Sequence, residues 1–299
     1  AMTRPWEIRV IRYNDAQFSE DSYRGVTEGL AQQGLHVGRD FNLRVLNAQG
    51  DMTTLSSIMT AVRAEKPDLL LAISTPALQA ALRQAGDLPV VFCSVGDGVQ
   101  AGAGQSVSNH LPNVTGITTR SPFAAMARLI KQTIPGVRAV GTLFSPAEIN
   151  SELYRGWFAE ALEAEGLKLE VVPVNTSADV AEATSALLKK DIQLVAQIAD
   201  NTTRPAYAQI VRRAADAGLP FFCFDSAGMK DGAALAYARD YYYTGVEAAE
   251  VAVRVLRGAR PADIPFANTR TEILVTNPEL LQRFNLVLPP EFLEKVKKP

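Results

Sequence analysis

Serine, threonine, asparagine and aspartate recur where apolar, strand-like runs give way to helical periodicity. Ser74-Thr75 follows the apolar run Asp68–Ile73 and precedes a proline, and Ser94 and Asp97 close the run that begins at Pro89. Ser145 opens a polar loop that ends in Asn150-Ser151, Asp200-Asn201-Thr202 follows Ile192–Ile198, and Asp225 follows Pro220–Phe224. A helix amino terminus has N–H groups without partners, so hydroxyls placed there can form a carboxylate-binding site. Asp225, closing a buried strand, suits an ammonium group. Tyr13, Asn14, Phe144 and the run Tyr241 to Tyr243 lie in or near the same loops, where the aromatic rings offer apolar walls. A purely structural reading competes with this one, because the same residue types cap helices in every kind of protein.

Other chemistries find little support. There is no GxxxxGK[ST] phosphate loop, no GxGxxG after a strand and no GxSxG elbow. Two histidines, His36 and His110, stand in turn or loop contexts with no Cys or carboxylate at ligand spacing, so neither a metal site nor a histidine-based triad is expected. No cofactor is expected. A formal charge of −2 offers no basic face for nucleic acid, and no run approaches the apolar length of a membrane-spanning helix.

The elements that would position these residues come in two copies. Tyr23-Arg24-Gly25 and Tyr154-Arg155-Gly156 lie 131 residues apart (154 − 23), each inside a strand–loop–helix stretch. Leu88-Pro89-Val90-Val91 and Leu219-Pro220-Phe221-Phe222 repeat the same offset. That spacing is too long for a solenoid and indicates a duplicated domain. Strands and helices alternate throughout, as in doubly wound parallel sheets of Rossmann-like build, and ligands of such sheets bind beyond the strand carboxyl ends. Two α/β lobes with a ligand cleft between them are therefore expected. The first comprises residues 1–117 plus 239–264, and the second residues 118–238 plus 265–299.

Further local expectations follow. Ser19 caps the first helix, Val114–Ile117 forms the first crossing between lobes, and the tail after Glu272 has no counterpart in the repeat. The repeat also sets Cys93 opposite Phe224 and Phe92 opposite Cys223, so the two thiols face opposite sides of their sheets. They read as small buried apolar residues rather than a disulfide.

Several motifs resemble the ABC-transporter substrate-binding proteins of the tryptophan/tyrosine-binding type. They include Asn47-Ala48-Gln49-Gly50-Asp51, FSPAEINS over Phe144–Ser151, Asp200-Asn201-Thr202 and Asp240-Tyr241-Tyr242 with Gly245. Pro261 to Pro265 and Leu288 to Leu293 continue the likeness, which runs collinearly over nearly the whole chain. The resemblance implies the type I periplasmic-binding-protein fold, with two lobes joined by three crossings and closing on a ligand by hinge motion. It implies a monomeric, non-enzymatic, extracytoplasmic receptor that captures a small solute, an amino acid or related carboxylate, and delivers it to permease subunits. It also implies an export signal, and Ala1-Met2 reads as a cloning remnant left after such a signal was cut away. Two stretches depart from the family's usual form. Ser145 stands for an asparagine and Ile149 for a small residue in one loop, and Tyr13-Asn14-Asp15 differs in the other. Two rival functions share parts of the pattern: a cofactor-independent amino-acid racemase using one cysteine per lobe, and the ligand-sensing core of a transcription regulator.

Overall fold

The computed structural model describes residues 4–297, so Ala1-Met2 lies outside the described residues. The chain divides into two compact units, residues 1–120 with 240–271 and residues 121–239 with 272–299.

In the first unit, β1 (Trp6–Arg12), α1 (Gln17–Gln32), β2 (Phe41–Asn47), α2 (Met52–Glu65), β3 (Leu69–Ile73), α3 (Thr75–Gln84), β4 (Val90–Val95) and β5 (Val114–Thr118) follow in order. The second unit holds α4 (Phe123–Thr133), β6 (Ala139–Phe144), α5 (Ile149–Ala164), β7 (Lys168–Pro173), α6 (Val180–Leu187), β8 (Leu194–Gln197), α7 (Tyr207–Asp216), β9 (Phe221–Cys223) and β10 (Leu235–Arg239). The chain then returns to the first unit for α8 (Tyr241–Leu256) and β11 (Ala267–Asn268). It ends in the second with β12 (Glu272–Thr276), α9 (Pro278–Arg283) and α10 (Pro290–Leu293).

The sheets run β2-β1-β3-β4-β5-β11 and β7-β6-β8-β9-β10-β12, the same order twice. Every described pairing is parallel except β10 with β12. All residues of β3 and β4 are buried because helices cover both faces of the first sheet. One face packs Ile8, Val10, Ile73 and Cys93 against Val26 and Leu30 of α1 and Ala249 and Ala252 of α8. The other packs Ile11, Leu70, Ala72 and Phe92 against Leu55 and Met59 of α2 and Leu78 of α3. In the second unit, α4 and α5 cover Phe222 and Phe224, while α6 and α7 cover Val195 and Cys223. Cys93 and Cys223 thus lie on non-equivalent faces, as the register argument expected.

Three expectations are corrected. Val114–Ile117 is not a crossing but a strand paired with β4 and β11, so the first unit extends to Arg120. Residues 265–271 belong to the first unit rather than the second, because Ala267–Asn268 extends that sheet beside β5. The tail strand does have a counterpart: β12 occupies in its sheet the place β11 takes in the other.

The shared Tyr-Arg-Gly motif serves one copy only. Gly25 of α1 and Gly245 of α8 meet at their backbones. A Cβ on Gly25 would collide with the Tyr242 carbonyl oxygen, and one on Gly245 with that of Ser22. Gly156 in α5 faces open space. Gly25→Ala should therefore cost several kcal/mol in urea unfolding, as over-packing does. Gly156→Ala should stabilise by about 0.5–1 kcal/mol, the usual gain at a helix interior. Similar effects at both sites would contradict the asymmetry.

Candidate functional site

Polar residues collect at the strand carboxyl ends of each unit. In the first unit Arg12 ends β1, Ser74 directly follows β3, and Ser94 is the last residue but one of β4. Arg12 stands opposite Ile73 in the ladder, and Ile73 opposite Cys93. Ser74 and Ser94 both have left-handed backbones, at φ 83° and 56°. An L-residue adopts that region at a cost, which the surrounding structure must offset. At Ser94 this conformation accompanies a hydroxyl 2.6 Å from Ser22 Oγ of α1, and Ser22 donates in turn to the Tyr241 carbonyl. Each hydroxyl has one hydrogen, so with Ser22 donating to Tyr241 it is Ser94 that donates to Ser22.

Ser74 departs from the structural reading. It occupies the position before α3, yet its side chain makes no capping bond. It is 3% exposed, and its Oγ has no hydrogen-bond partner among the described residues. A buried hydroxyl without a partner is uncommon and calls for an explanation. Thr75, also buried, begins the helix itself.

In the second unit, loop Ser145–Ser151 and the segment after β8 are tied together. Ser151 Oγ accepts from the Ser145 N–H at 2.8 Å and donates to Asp200 Oδ2 at 2.7 Å. The other Asp200 oxygen accepts from the Thr203 N–H and hydroxyl. Glu148 accepts from both the N–H and the side-chain amide of Asn201, and from the Thr202 hydroxyl. Asn201 and Thr202 therefore serve first to hold this loop, and Asn150 is buried in the first turn of α5. Ser145 Oγ, on a residue 1% exposed, has no hydrogen-bond partner among the described residues. Burial, and next the nearby charge of Glu148, push the Asp200 carboxyl up to about 7 despite its hydrogen bonds.

The remaining candidates have structural partners. Asp225, the expected ammonium ligand, accepts from Arg204 Nε on Oδ2 at 2.5 Å and from the Ala227 N–H on Oδ1. Asp97 accepts from the N–H groups of Val99 and Gln100. The Tyr13 hydroxyl donates to the Gly50 carbonyl, and Asn14 accepts from the Ala16 N–H. Tyr241 is buried with its ring 5.4 Å from that of Phe18. Ser19 does not cap α1, which begins at Gln17; it accepts from Arg12 Nε instead.

Reasoning from sequence missed Arg12, Ser22, Glu148 and Thr203. Arg12 carried a signal, since it shares the strand parity of Ile8 and Val10, whose side chains are wholly buried. The two thiols, both fully buried, are pushed up to about 12 by that burial.

Two doubly wound α/β units, with polar residues gathered at their strand carboxyl ends, define a ligand-binding protein of the type I periplasmic-binding-protein fold. The profile of the ABC transporter substrate binding proteins matches residues 7–298, and the chain belongs to that family. It is similar to a tyrosine-binding protein of Clostridioides difficile, at 26% identity over 88% of this chain and 76% of that one. It also resembles an ABC domain from Streptococcus pneumoniae solved in complex with L-Trp. The identity there is 25% and the TM-score 0.92, over 98% of this chain and 99% of the other. A conserved domain protein of Vibrio cholerae gives 26% and 0.92, over 98% and 99%.

The Asp200 carboxyl supplies a pH test. Its folded value, near 7, lies above the ordinary 3.8, so between those limits the native state retains a proton that the unfolded chain releases. Stability contributed by this group is complete below about pH 4 and falls as the pH rises to about 7. In urea titrations the wild type should lose stability relative to Asp200→Asn across that window, approaching ~1.4 kcal/mol per pH unit, and no further above it. Parallel profiles for the two proteins would remove Asp200 from this role.

Proposed function

We propose that the chain is the extracytoplasmic receptor of an ABC importer and that its solute is an α-amino acid with an aromatic side chain. The observation that carries this reading is that two buried serine hydroxyls, Ser74 Oγ and Ser145 Oγ, one at a strand carboxyl end in each unit, have no hydrogen-bond partner among the described residues. Family membership supports the receptor role. The tyrosine-binding relative and the relative solved with L-Trp support the solute class.

In this reading the ligand carboxylate meets Ser74 Oγ and the N–H groups that open α3, where the helix dipole favours negative charge. Within the second unit, Asp200, Glu148 and Ser145 Oγ offer acceptors of the kind that suit an ammonium group. Asp225 is passed over because the Arg204 guanidinium already neutralises its charge, whereas Asp200 and Glu148 are held by neutral hydroxyl and N–H donors. Tyr13, Phe144 and Tyr241 supply apolar surface, and Ser94, Asp97, Asn150, Ser151, Asn201 and Thr202 shape the loops around them. The protein captures its solute as a monomer and hands it unchanged to the permease. Turnover by a pair of thiols has no support, since Cys93 and Cys223 are both sealed in their sheets.

A thermal-shift series tests the solute. L-tryptophan or L-tyrosine in large excess should raise Tm by several degrees, because a ligand bound only by the native state stabilises it by mass action. L-glutamate and L-lysine should not. No shift with either aromatic amino acid would refute the aromatic assignment. Ser74→Ala separates recognition from capping. It should weaken binding about 10-fold or more, the worth of a hydrogen bond to a charged group, while leaving the Tm of the ligand-free protein unchanged. A loss of Tm without loss of affinity would mean that Ser74 is structural.

A further inference from the structure

Arg12 is the unusual residue of the first unit. It closes β1 with its parity toward α1, and only 6% of it is exposed. Its Nε donates to Ser19 Oγ at 3.0 Å, and its Nη1 pairs with Glu20 at 2.7 Å. The guanidinium carbon lies 5.6 Å from the centre of the Tyr23 ring. Nη2, also buried, has no hydrogen-bond partner among the described residues. A guanidinium carries five N–H donors in a rigid plane, and three sides of this one are held in place. Leaving the fourth unmatched is costly, and more so for a charged group than for a neutral one.

The residue opposite Arg12 in the ladder is Ile73, so the next position along β3 is Ser74, whose hydroxyl is likewise buried and unmatched. Two unsatisfied donors thus belong to residues at the ends of adjacent strands, one of them beside the amino terminus of the 10-residue α3, where an anion is favoured. We infer that Arg12 is a specificity-determining residue, its Nη2 joining Ser74 Oγ in binding the carboxylate of the solute. Glu20, 53% exposed, offsets part of the charge without occupying the free nitrogen. The contact selects acids over amines that lack the carboxyl group, because without an oxyanion the buried guanidinium stays unmatched. The inference rests on the receptor reading above and adds to it a charged contact in the first unit.

The test uses L-tryptophan, indole-3-propionate, which lacks the ammonium group, and tryptamine, which lacks the carboxylate, titrated calorimetrically into wild type, Arg12→Gln and Arg12→Lys. Arg12→Gln should weaken binding of both acids by ~10- to 100-fold and leave tryptamine within about twofold. Arg12→Lys, which keeps the charge but not the planar fork, should fall between. Equal losses for all three compounds, or no loss for the acids, would overturn the proposal and leave water as the partner of Nη2. If wild type binds none of the three, the aromatic solute assignment fails. Acetate then serves as the probe: 50 mM acetate should raise the wild-type Tm relative to chloride but not that of Arg12→Gln. Identical shifts in the two proteins would reject the subsite.

Discussion

The first unit depends on the close approach of α1 and α8, two helices far apart in the chain. Gly25 and Gly245 let their backbones touch, and Gly29 beside Ala249 continues the seam. The contact also places polar groups. With α1 against α8, Ser22 reaches both the Tyr241 carbonyl and Ser94 at the end of β4. One helical turn earlier, Ser19 receives Arg12 from the end of β1. A separation of one methyl group would loosen both links, because hydrogen bonds weaken sharply beyond their usual length. Packing and the placement of these polar groups therefore share a single constraint.

Each unit leaves a buried serine hydroxyl unmatched, Ser74 in the first and Ser145 in the second, but the charged groups beside them differ in sign. In the first, an arginine and a serine hydroxyl stay unmatched at the strand ends, a surplus of donors. In the second, Asp200 and Glu148 are held by hydroxyls and N–H groups, a surplus of negative charge that lifts the Asp200 carboxyl. The duplicated scaffold is nearly symmetric in strand order, and asymmetry enters through the side chains that end those strands.

Much of the architecture was legible because periodicity reports burial directly. Continuous apolar runs marked β3 and β4, the 131-residue echo marked the duplication, and the aligned cysteines fell on the opposed faces that the register demanded. The errors came where long-range pairing decides. Val114–Ile117 is a strand only because β4 lies on one side and β11, about 150 residues later, on the other. The tail strand matches β11 by position in a sheet, a likeness that its own residues do not display. At the site, Ser74 and Asp225 looked equivalent as residues closing buried strands. Only the placement of Arg204 engages one, and only the lack of such a neighbour leaves the other open.

From the sequence alone came the fold class, the two copies, the family resemblance and the general location of polar chemistry at strand carboxyl ends. Each depends on local pattern or collinear similarity. Tertiary structure decided which of those polar side chains are already bonded and which are not. That distinction brought forward Arg12, Ser74 and Ser145 and set aside Asp225 and Asp97. The physical reason is that a hydrogen bond is made by the partner as much as by the residue. The partners here come from other strands and from helices that the chain adds later.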